Sequence, residues 1–475
     1  MFIFTAVFAA MDSLRATLER LLPPNATGIV IGLSGGLDSS CLATALAELA
    51  AQAALPGDLP LRAVHVDHGL QRASGAFLKQ SASLCRRLAM ALAIEVVEIE
   101  VPPGASIEAV AREVRYKALA AQLATGECLV TAHHGDDQAE TFLLQALRGA
   151  GPKGLASMPE RRPLGAGWHL RPLLWVAHRE VLHYAAKHRV PSIKDPMNRD
   201  RRFDRSFLRH EIWPQLERRW PAAGAALARA AQHSADSQHL LDALADEDLA
   251  GAADGVALSV IGLRRLAPSR RLNALRRWLA LEGAALPSTA RLTEALRQML
   301  DAREDHLPTV VWGAHALRRY RERIFLTAAE LPQLGSALDW NWREDPVLEL
   351  GEGLGCLRAV EHPGGISLDK LGSSLQVRPR AGGEKMRIAA TGRVQSVQHL
   401  CQAMGVLPWA RDALPFVFAG DELVAIGDLW SSAGWRAAPG VPGLSFAWER
   451  APLVCCLLTA SQSANLISRR IIFFL

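Results

Sequence analysis

The chain has 475 residues, 49% of them apolar and 21% charged, with a formal net charge of +5. That length exceeds one compact core and predicts two to four domains, and the composition excludes a disordered or low-complexity protein. Of the 53 basic residues only seven are Lys, an Arg bias that suits bidentate phosphate contacts but that an Ala- and Arg-rich genome also produces.

Residues 1–10 are apolar without a basic flank and read as a poor signal peptide; Met11 opens a more conventional amphipathic helix that runs to Leu22. From Gly28 to Leu216 short apolar runs alternate with helical ones. Strands are predicted at 30–33, 61–66, 94–99 and 127–131, and helices near 39–54, 74–92, 106–124 and 137–148. This alternation predicts a doubly wound α/β domain whose parallel sheet places its ligand site beyond the carboxyl ends of the strands. Residues 217–330 read as a helical domain with strand-like pieces at 310–311 and 324–326. Residues 331–374 read as a linker or small β segment, 375–449 as a small α+β domain, and 450–475 carry no assignable pattern. No apolar run reaches the ~20 residues of a membrane helix, so no membrane association is expected. The seven cysteines lack C-x-x-C spacing, which argues against a disulfide framework, a zinc site or an iron–sulfur cluster and fits a cytoplasmic protein.

The strand at 30–33 ends in Ser34-Gly35-Gly36-Leu37-Asp38-Ser39, and a helix follows. Two residues without Cβ allow a sharp turn and close approach to a ligand. The free N–H groups of the helix start then face the turn, an arrangement that holds phosphate. Ser34 and Ser39 add hydroxyls, and Asp38 supplies a carboxylate for Mg²⁺ on a pyrophosphate. A Walker loop is excluded, because it requires a Gly-Lys pair.

Further along, His133-His134-Gly135-Asp136-Asp137-Gln138-Ala139-Glu140-Thr141 follows a strand and enters a helix. Asp137 and Glu140 share one face of its first turn, where two acids can grip an ammonium group; a solvated helix start gives the same spacing. The cluster matches no standard zinc motif. Arg112, Arg115 and Tyr116 occupy i, i+3 and i+4 of another helix, a phosphate- or base-binding face or an exposed salt-bridged one. The segment 195–200, Asp-Pro-Met-Asn-Arg-Asp, reads first as a turn, with Arg205 and Arg209 beyond it.

The loop Ser-Gly-Gly-x-Asp-Ser resembles the PP-loop of the ATP pyrophosphatase superfamily. The motifs His65-Val66-Asp67-His68-Gly69-Leu70, Ser106-x-Glu108-x-x-Ala111-Arg112-x-x-Arg115-Tyr116, the His-His-x-Asp-Asp-Gln-Ala-Glu-Thr run, Leu147-Arg148-Gly149 and Asp195-Pro196-x-Asn198-x-Asp200 follow in the order seen in the bacterial tRNA(Ile)-lysidine synthetase family. The resemblance resumes with Val377-Arg378-Pro379-Arg380, Gly392-Arg393 and Val406-Leu407-Pro408-Trp409-Ala410-Arg411. It covers 28–216 densely and 375–430 clearly, while the middle matches only in character. Ile193-Lys194 and Phe203 depart from the family's usual residues.

The resemblance implies an ATP-dependent ligase that joins free L-lysine to C2 of the wobble cytidine in tRNA(Ile) with a CAU anticodon. An adenylated cytidine would be the intermediate, with AMP and pyrophosphate released. It implies ATP binding by Ser34, Gly35, Gly36, Leu37, Asp38 and Ser39, with Mg²⁺ on Asp38. Catalytic roles fall to Asp38, Asp137, Glu140, Arg112, Arg115 and His133, with Asp137 and Glu140 holding the lysine amine. Contacts to tRNA fall to Arg205, Arg209, Arg378, Arg380, Arg393 and Arg411; charge spacing adds the Arg pairs at 264–265, 270–271 and 276–277, a pattern that a solvated helix surface gives as well. A homodimer is compatible with these features but not required by them. Among rivals, a tRNA 2-thiocytidine enzyme would need paired cysteines and GMP synthetase an amidotransferase domain. A non-catalytic tRNA-binding protein would not need Asp38, Asp137 and Glu140 together.

Overall fold

A computed structural model describes residues 13–67, 74–104, 107–193, 202–303 and 306–451. His68, Gly69, Leu70, Ser106, the 195–200 motif and both chain ends lie outside them. The chain divides into two compact units, Met1–Leu240 and Leu241–Leu475.

In the first unit, β1 (Gly28–Gly32), β2 (Leu61–Asp67), β3 (Ala91–Val96) and β4 (Glu127–Val130) are parallel, and a hairpin of β5 (Arg161–Leu164) and β6 (Gly167–Leu170) extends the sheet in the order β3-β2-β1-β4-β6-β5. The predicted parallel α/β sheet is therefore present. The intervening helices are α1 (13–21), α2 (Leu37–Ala51), α3 (Ser74–Arg87), α4 (Ile107–Ala121), α5 (Gly135–Leu147), α6 (Pro152–Leu155), α7 (His178–His188) and α8 (Asp204–Phe207). Both sheet faces are covered. Ile29, Ile31 and Val130 pack with Leu14, Leu18, Leu42 and Leu46 on one side. On the other, Val30, Val64 and Leu129 pack with Leu119 and Leu123. Each such buried side chain contributes roughly 1.5–3 kcal/mol.

Strand β3 begins three residues before the predicted 94–99. Helix α3 stops earlier than expected because Ala89 takes a left-handed conformation (φ 51°) and Met90 N–H closes on the Cys85 carbonyl at 2.9 Å. The hairpin β5–β6 lies beside β4 because Gly167 has no Cβ; one would stand 2.0 Å from the Glu127 carbonyl oxygen. The resulting register pairs Leu129 with His169 and Val130 with Leu170, so residues 131 and 169–171 meet at the carboxyl end of the sheet.

The second unit mixes helix and sheet where the sequence reads as mainly helical. Helices Val260–Arg265, Pro268–Leu281 and Thr289–Asp301 pack on a five-stranded sheet that includes Thr309–Trp312, His315–Tyr320 and Arg323–Ala328. The segment 331–374 contributes strands to the following module: Leu338–Trp340 pairs with Leu375–Arg378, and Cys356–Ser367 with Gly443–Glu449.

Candidate nucleotide and anion site

The turn after β1 is built around Gly35, whose φ of +80° and 2.8 Å approach of a would-be Cβ to the Phe77 carbonyl exclude a side chain. The Ser34 and Ser39 hydroxyls lie 3.0 Å apart, and Ser39 Oγ donates to the Gly36 carbonyl at 3.1 Å. Gly36 caps α2 without a side chain, so no residue covers the first-turn N–H groups from the Ncap position. Buried His65 braces the loop from β2, its Nδ1 lying 2.8 Å from the Leu33 carbonyl and 3.2 Å from Ser81 Oγ. Ser34, Gly35, Gly36, Leu37, Asp38 and Ser39 thus form one open turn at a helix N-terminus.

Asp38 projects from that first turn, partly exposed. His178 Nε2 donates to its Oδ1 at 3.1 Å, and this hydrogen bond raises the His178 pKa above the ordinary imidazole value. The His178 ring stacks on His134 at 4.4 Å, and the facing atoms of Asp38, His134 and His178 lie within 4.8 Å of one another. His134, however, is the Ncap of α5, and its Nδ1 accepts the Asp137 N–H at 3.4 Å, which leaves its proton on Nε2. A metal ion on Nε2 would have to displace that proton, and moving it to Nδ1 would break the helix cap. Asp38 is the oxygen donor of the cluster, and both imidazoles are engaged in hydrogen bonds within the fold. Sequence reasoning missed His178, which lies 140 residues from Asp38 and reaches it only through the fold.

Asp137 and Glu140 correct one expectation. Glu140 is buried, and it accepts from Arg205 Nε at 2.8 Å and from Arg209 Nε and Nη2 at 2.7 and 2.8 Å. Asp137 Oδ1 accepts from Arg205 and Arg209 at 3.1 and 3.2 Å, and its Oδ2 accepts the His134 backbone N–H at 3.1 Å. Burial alone would raise Asp137; its neighbours His134, Arg205, His133 and Arg209, with both guanidinium groups hydrogen-bonded to it, overcome that and hold the carboxyl at about 2. Neither acid has an open face for an ammonium group. Nor are Arg205 and Arg209 free for phosphate, because both fold back onto these acids.

A second zone has the opposite character. Tyr116 is ringed by the guanidinium carbons of Arg112 at 5.4 Å, Arg115 at 5.6 Å and Arg162 at 5.1 Å. Arg171 is 2% exposed, and its Nε is buried without a hydrogen-bond partner. Burial pulls the Arg171 pKa down to about 10 and lowers that of Arg115. Among the described residues, none of these four arginines lies within ion-pair distance of a carboxylate. His133 stands in the same zone, and burial pushes its pKa down to about 3. The helix face that read equally as phosphate-binding or salt-bridged is therefore unneutralised.

In the second unit Arg411 is buried and donates to the Val406 carbonyl at 3.1 and 3.3 Å, which corrects its reading as a tRNA contact. Arg378 lies over Phe418 at 4.4 Å, Arg380 pairs with Asp412 at 3.3 Å, and Arg393 is exposed. Of the repeated Arg pairs, Arg270 binds buried Asp248, Arg277 binds Asp246, and Arg271 donates to the Leu263 and Leu266 carbonyls. Much of that charge is spent inside the fold.

A glycine turn feeding an uncapped helix, with an acid in its first turn and unpaired guanidinium groups on the same sheet edge, defines a nucleotide-handling α/β enzyme of the PP-loop class. Sequence profiles agree: residues 11–216 match the PP-loop domain, 258–325 the TilS substrate binding domain, and 375–448 the TilS substrate C-terminal domain. The tRNA(Ile)-lysidine synthase of Alkalilimnicola ehrlichii is 40% identical over 422 residues, spanning 87% of this chain and 92% of that one. The enzyme of the same name from Pseudomonas aeruginosa is 38% identical, spanning 91% and 99%. Among solved structures, the U34-tRNA thiolase NcsA of Methanococcus maripaludis is 21% identical with a TM-score of 0.39, over 48% of this chain and 78% of that chain. The chain belongs to the tRNA(Ile)-lysidine synthase family, as its motifs indicated. No helix among the described residues is long and apolar enough to cross a membrane.

Proposed function

We propose that this protein joins free L-lysine to C2 of the wobble cytidine of tRNA(Ile) bearing a CAU anticodon, at the expense of ATP. The observation that carries the reading is the uncapped start of α2 with Asp38 in its first turn, in a chain that matches lysidine synthases over nearly its whole length. In the first step the cytosine O2 attacks the α-phosphorus of ATP and pyrophosphate leaves. The ε-amine of lysine then attacks C2, AMP departs with the former O2, and the amine loses a proton.

The residues have separable tasks. The N–H groups at the start of α2 and the Ser34 and Ser39 hydroxyls stabilise the departing pyrophosphate. Asp38 fits a Mg²⁺ ion: its carboxylate is partly exposed at the phosphate-binding turn, and Mg²⁺ takes one or two carboxylates with the remaining sites filled by phosphate and water. Held there, such an ion would supply neutralisation of the pyrophosphate charge. Arg112, Arg115, Arg162 and Arg171 supply the positive field that a polyanionic substrate completes. Asp137 and Glu140 serve as the clamp that orients Arg205 and Arg209. Among the arginines of the second unit, Arg393 is a phosphate contact, with Arg378 and Arg380 beside it in sequence.

The test is an incubation with ATP, labelled lysine and tRNA carrying a CAU anticodon, followed by nucleoside analysis. Label is expected in a lysine–cytidine adduct and absent when C34 is replaced by U. Label on another nucleoside, or none with intact enzyme, overturns the reading.

A further inference from the structure

His133 sits at the end of a hydrogen-bonded chain whose direction can be worked out atom by atom. Arg162 Nε–H is an obligatory donor, and it points at His169 Nδ1 at 3.4 Å. His169 Nδ1 is therefore an acceptor, and the ring, fully buried and beside two arginines, is neutral with its one proton on Nε2. That Nε2–H donates to Thr131 Oγ1 at 2.8 Å. The Thr131 hydroxyl is buried and has one hydrogen to place; the neighbour left to receive it is His133 Nδ1, also at 2.8 Å. If His133 Nδ1 carried a proton instead, the hydroxyl hydrogen would have no acceptor among the described residues, a cost that buried polar groups rarely bear.

We infer that Arg162, His169 and Thr131 are positioning residues that lock His133 in the tautomer with its proton on Nε2, making it a fixed hydrogen-bond donor and not a general base. Neither ring nitrogen then has a free lone pair: Nδ1 accepts from Thr131, and Nε2 bears the proton. The charged groups that bear on the ring point the same way. Burial is the main obstacle to a second proton, Arg171, Arg112 and Arg205 add to it, and Asp137 opposes them without prevailing. The register that brings β6 beside β4 builds the chain, pairing Leu129 with His169 so that Thr131 and the imidazole meet beyond the strand ends.

The tautomer stands on geometry alone. That the Nε2–H serves an acceptor atom of the substrate nucleotide rests on the proposed reaction. Within that reading, the proton lost by the attacking amine leaves by another route, and His133 instead polarises or orients a substrate oxygen.

Long-range ¹H–¹⁵N correlation spectra of the full chain with ¹⁵N-labelled histidine, with His133 assigned from H133Q, test the tautomer directly and without substrate. A neutral ring protonated at Nε2, unchanged from pH 8 to pH 5, is expected. A proton on Nδ1, or titration within that range, overturns the inference. Thr131→Ser should preserve the signature and Thr131→Val abolish it; if Val leaves it intact, the hydroxyl does not set the tautomer. In the lysine-transfer assay, Gln at 133 can carry an N–H to the Nε2 position and Asn cannot. The Gln variant should exceed the Asn variant by about tenfold in kcat/KM. Equal values remove the donor role. Failure of the wild-type enzyme to form any lysine adduct would count against the proposed reaction and leave the spectra to decide the tautomer.

Discussion

Replacing Glu140 with Gln tests whether the buried acids are a clamp or a substrate site. Glu140 accepts three N–H groups from two arginines at 2.7–2.8 Å, with its side chain 3% exposed. The amide keeps one acceptor oxygen but turns an NH₂ toward a guanidinium, so at least one donor loses its partner and the charge pairing is gone. Removing one partner of a buried ion pair costs ~3–5 kcal/mol. The Arg205 and Arg209 side chains are 23% and 38% exposed, and water at their outer edges recovers part of that, which favours the lower end. With about 2–4 °C of melting temperature per kcal/mol for a unit of this size, a loss of roughly 6–12 °C is expected. The assay is thermal unfolding of the full chain, following the transition that ATP shifts upward. Arg209→Gln alone and combined with Glu140→Gln completes a cycle, in which the double variant should cost clearly less than the two single losses added. A Gln variant that melts within about 2 °C of the parent yet loses lysine-dependent turnover would refute the clamp and return Glu140 to the amine.

Asp38→Ala should lower pyrophosphate release by about a hundredfold or more with the melting temperature little changed, and near-normal release would remove Asp38 from the reaction. Asp137 has a folded pKa of about 2 against an ordinary 3.8, so it contributes stability that is present above pH ~4 and lost as pH falls toward 2. Asp137→Asn should therefore lower stability at neutral pH and flatten its decline between pH ~4 and 2; an unchanged acid limb in urea titrations would contradict the assignment. Arg411→Ala should destabilise the chain without altering the salt dependence of tRNA binding, whereas Arg393→Ala should leave stability intact and reduce the salt slope by about 1. Arg115 makes no hydrogen bond among the described residues, so Arg115→Met should not lower the ligand-free melting temperature but should diminish the protection given by pyrophosphate; a destabilised free protein would mean its charge is neutralised.

The loop 34–39 was legible because its function is local: two glycines, two hydroxyls and an acid must be adjacent to make a phosphate turn. The strands at 30–33, 61–66 and 127–131 were legible because both of their faces are buried and they read as apolar runs. The hairpin β5–β6 was not, since Arg161-Arg162-Pro163-Leu164 has no clean alternation and its place beside β4 depends on Gly167. Thr131, Arg162, His169, Arg171 and His178 carried no local signal at all. The fold brings them together, as with His178 and Asp38, 140 residues apart, or Thr131 and His169, 38 apart. The strands within 331–374 were obscured for the same reason: Leu357 finds Trp448 across the sheet, a pairing no window of sequence contains. Arg411 misled because composition cannot separate a guanidinium that caps a carbonyl from one that awaits a phosphate.

The two charge zones argue for a division of labour that neither the acids nor the arginines would suggest alone. Arg205 and Arg209 sit with Asp137 and Glu140 in a balanced set, two cations against two anions, mutually hydrogen-bonded and largely out of water. Such a set is rigid and gains nothing from a further charge. Arg112, Arg115 and Arg162 hold three cations around one phenol ring, with Arg171 in the same zone and no carboxylate within ion-pair distance among the described residues, and burial already weakens the protonation of Arg115 and Arg171. Desolvated like charges in one place are costly unless an anion joins them. The first arrangement is therefore balanced within itself, while the second is one that binding of a polyanion would stabilise, as the proposed reaction requires. The imidazoles of His133 and His169, kept neutral within the arginine zone, add hydrogen-bond direction without adding to the repulsion.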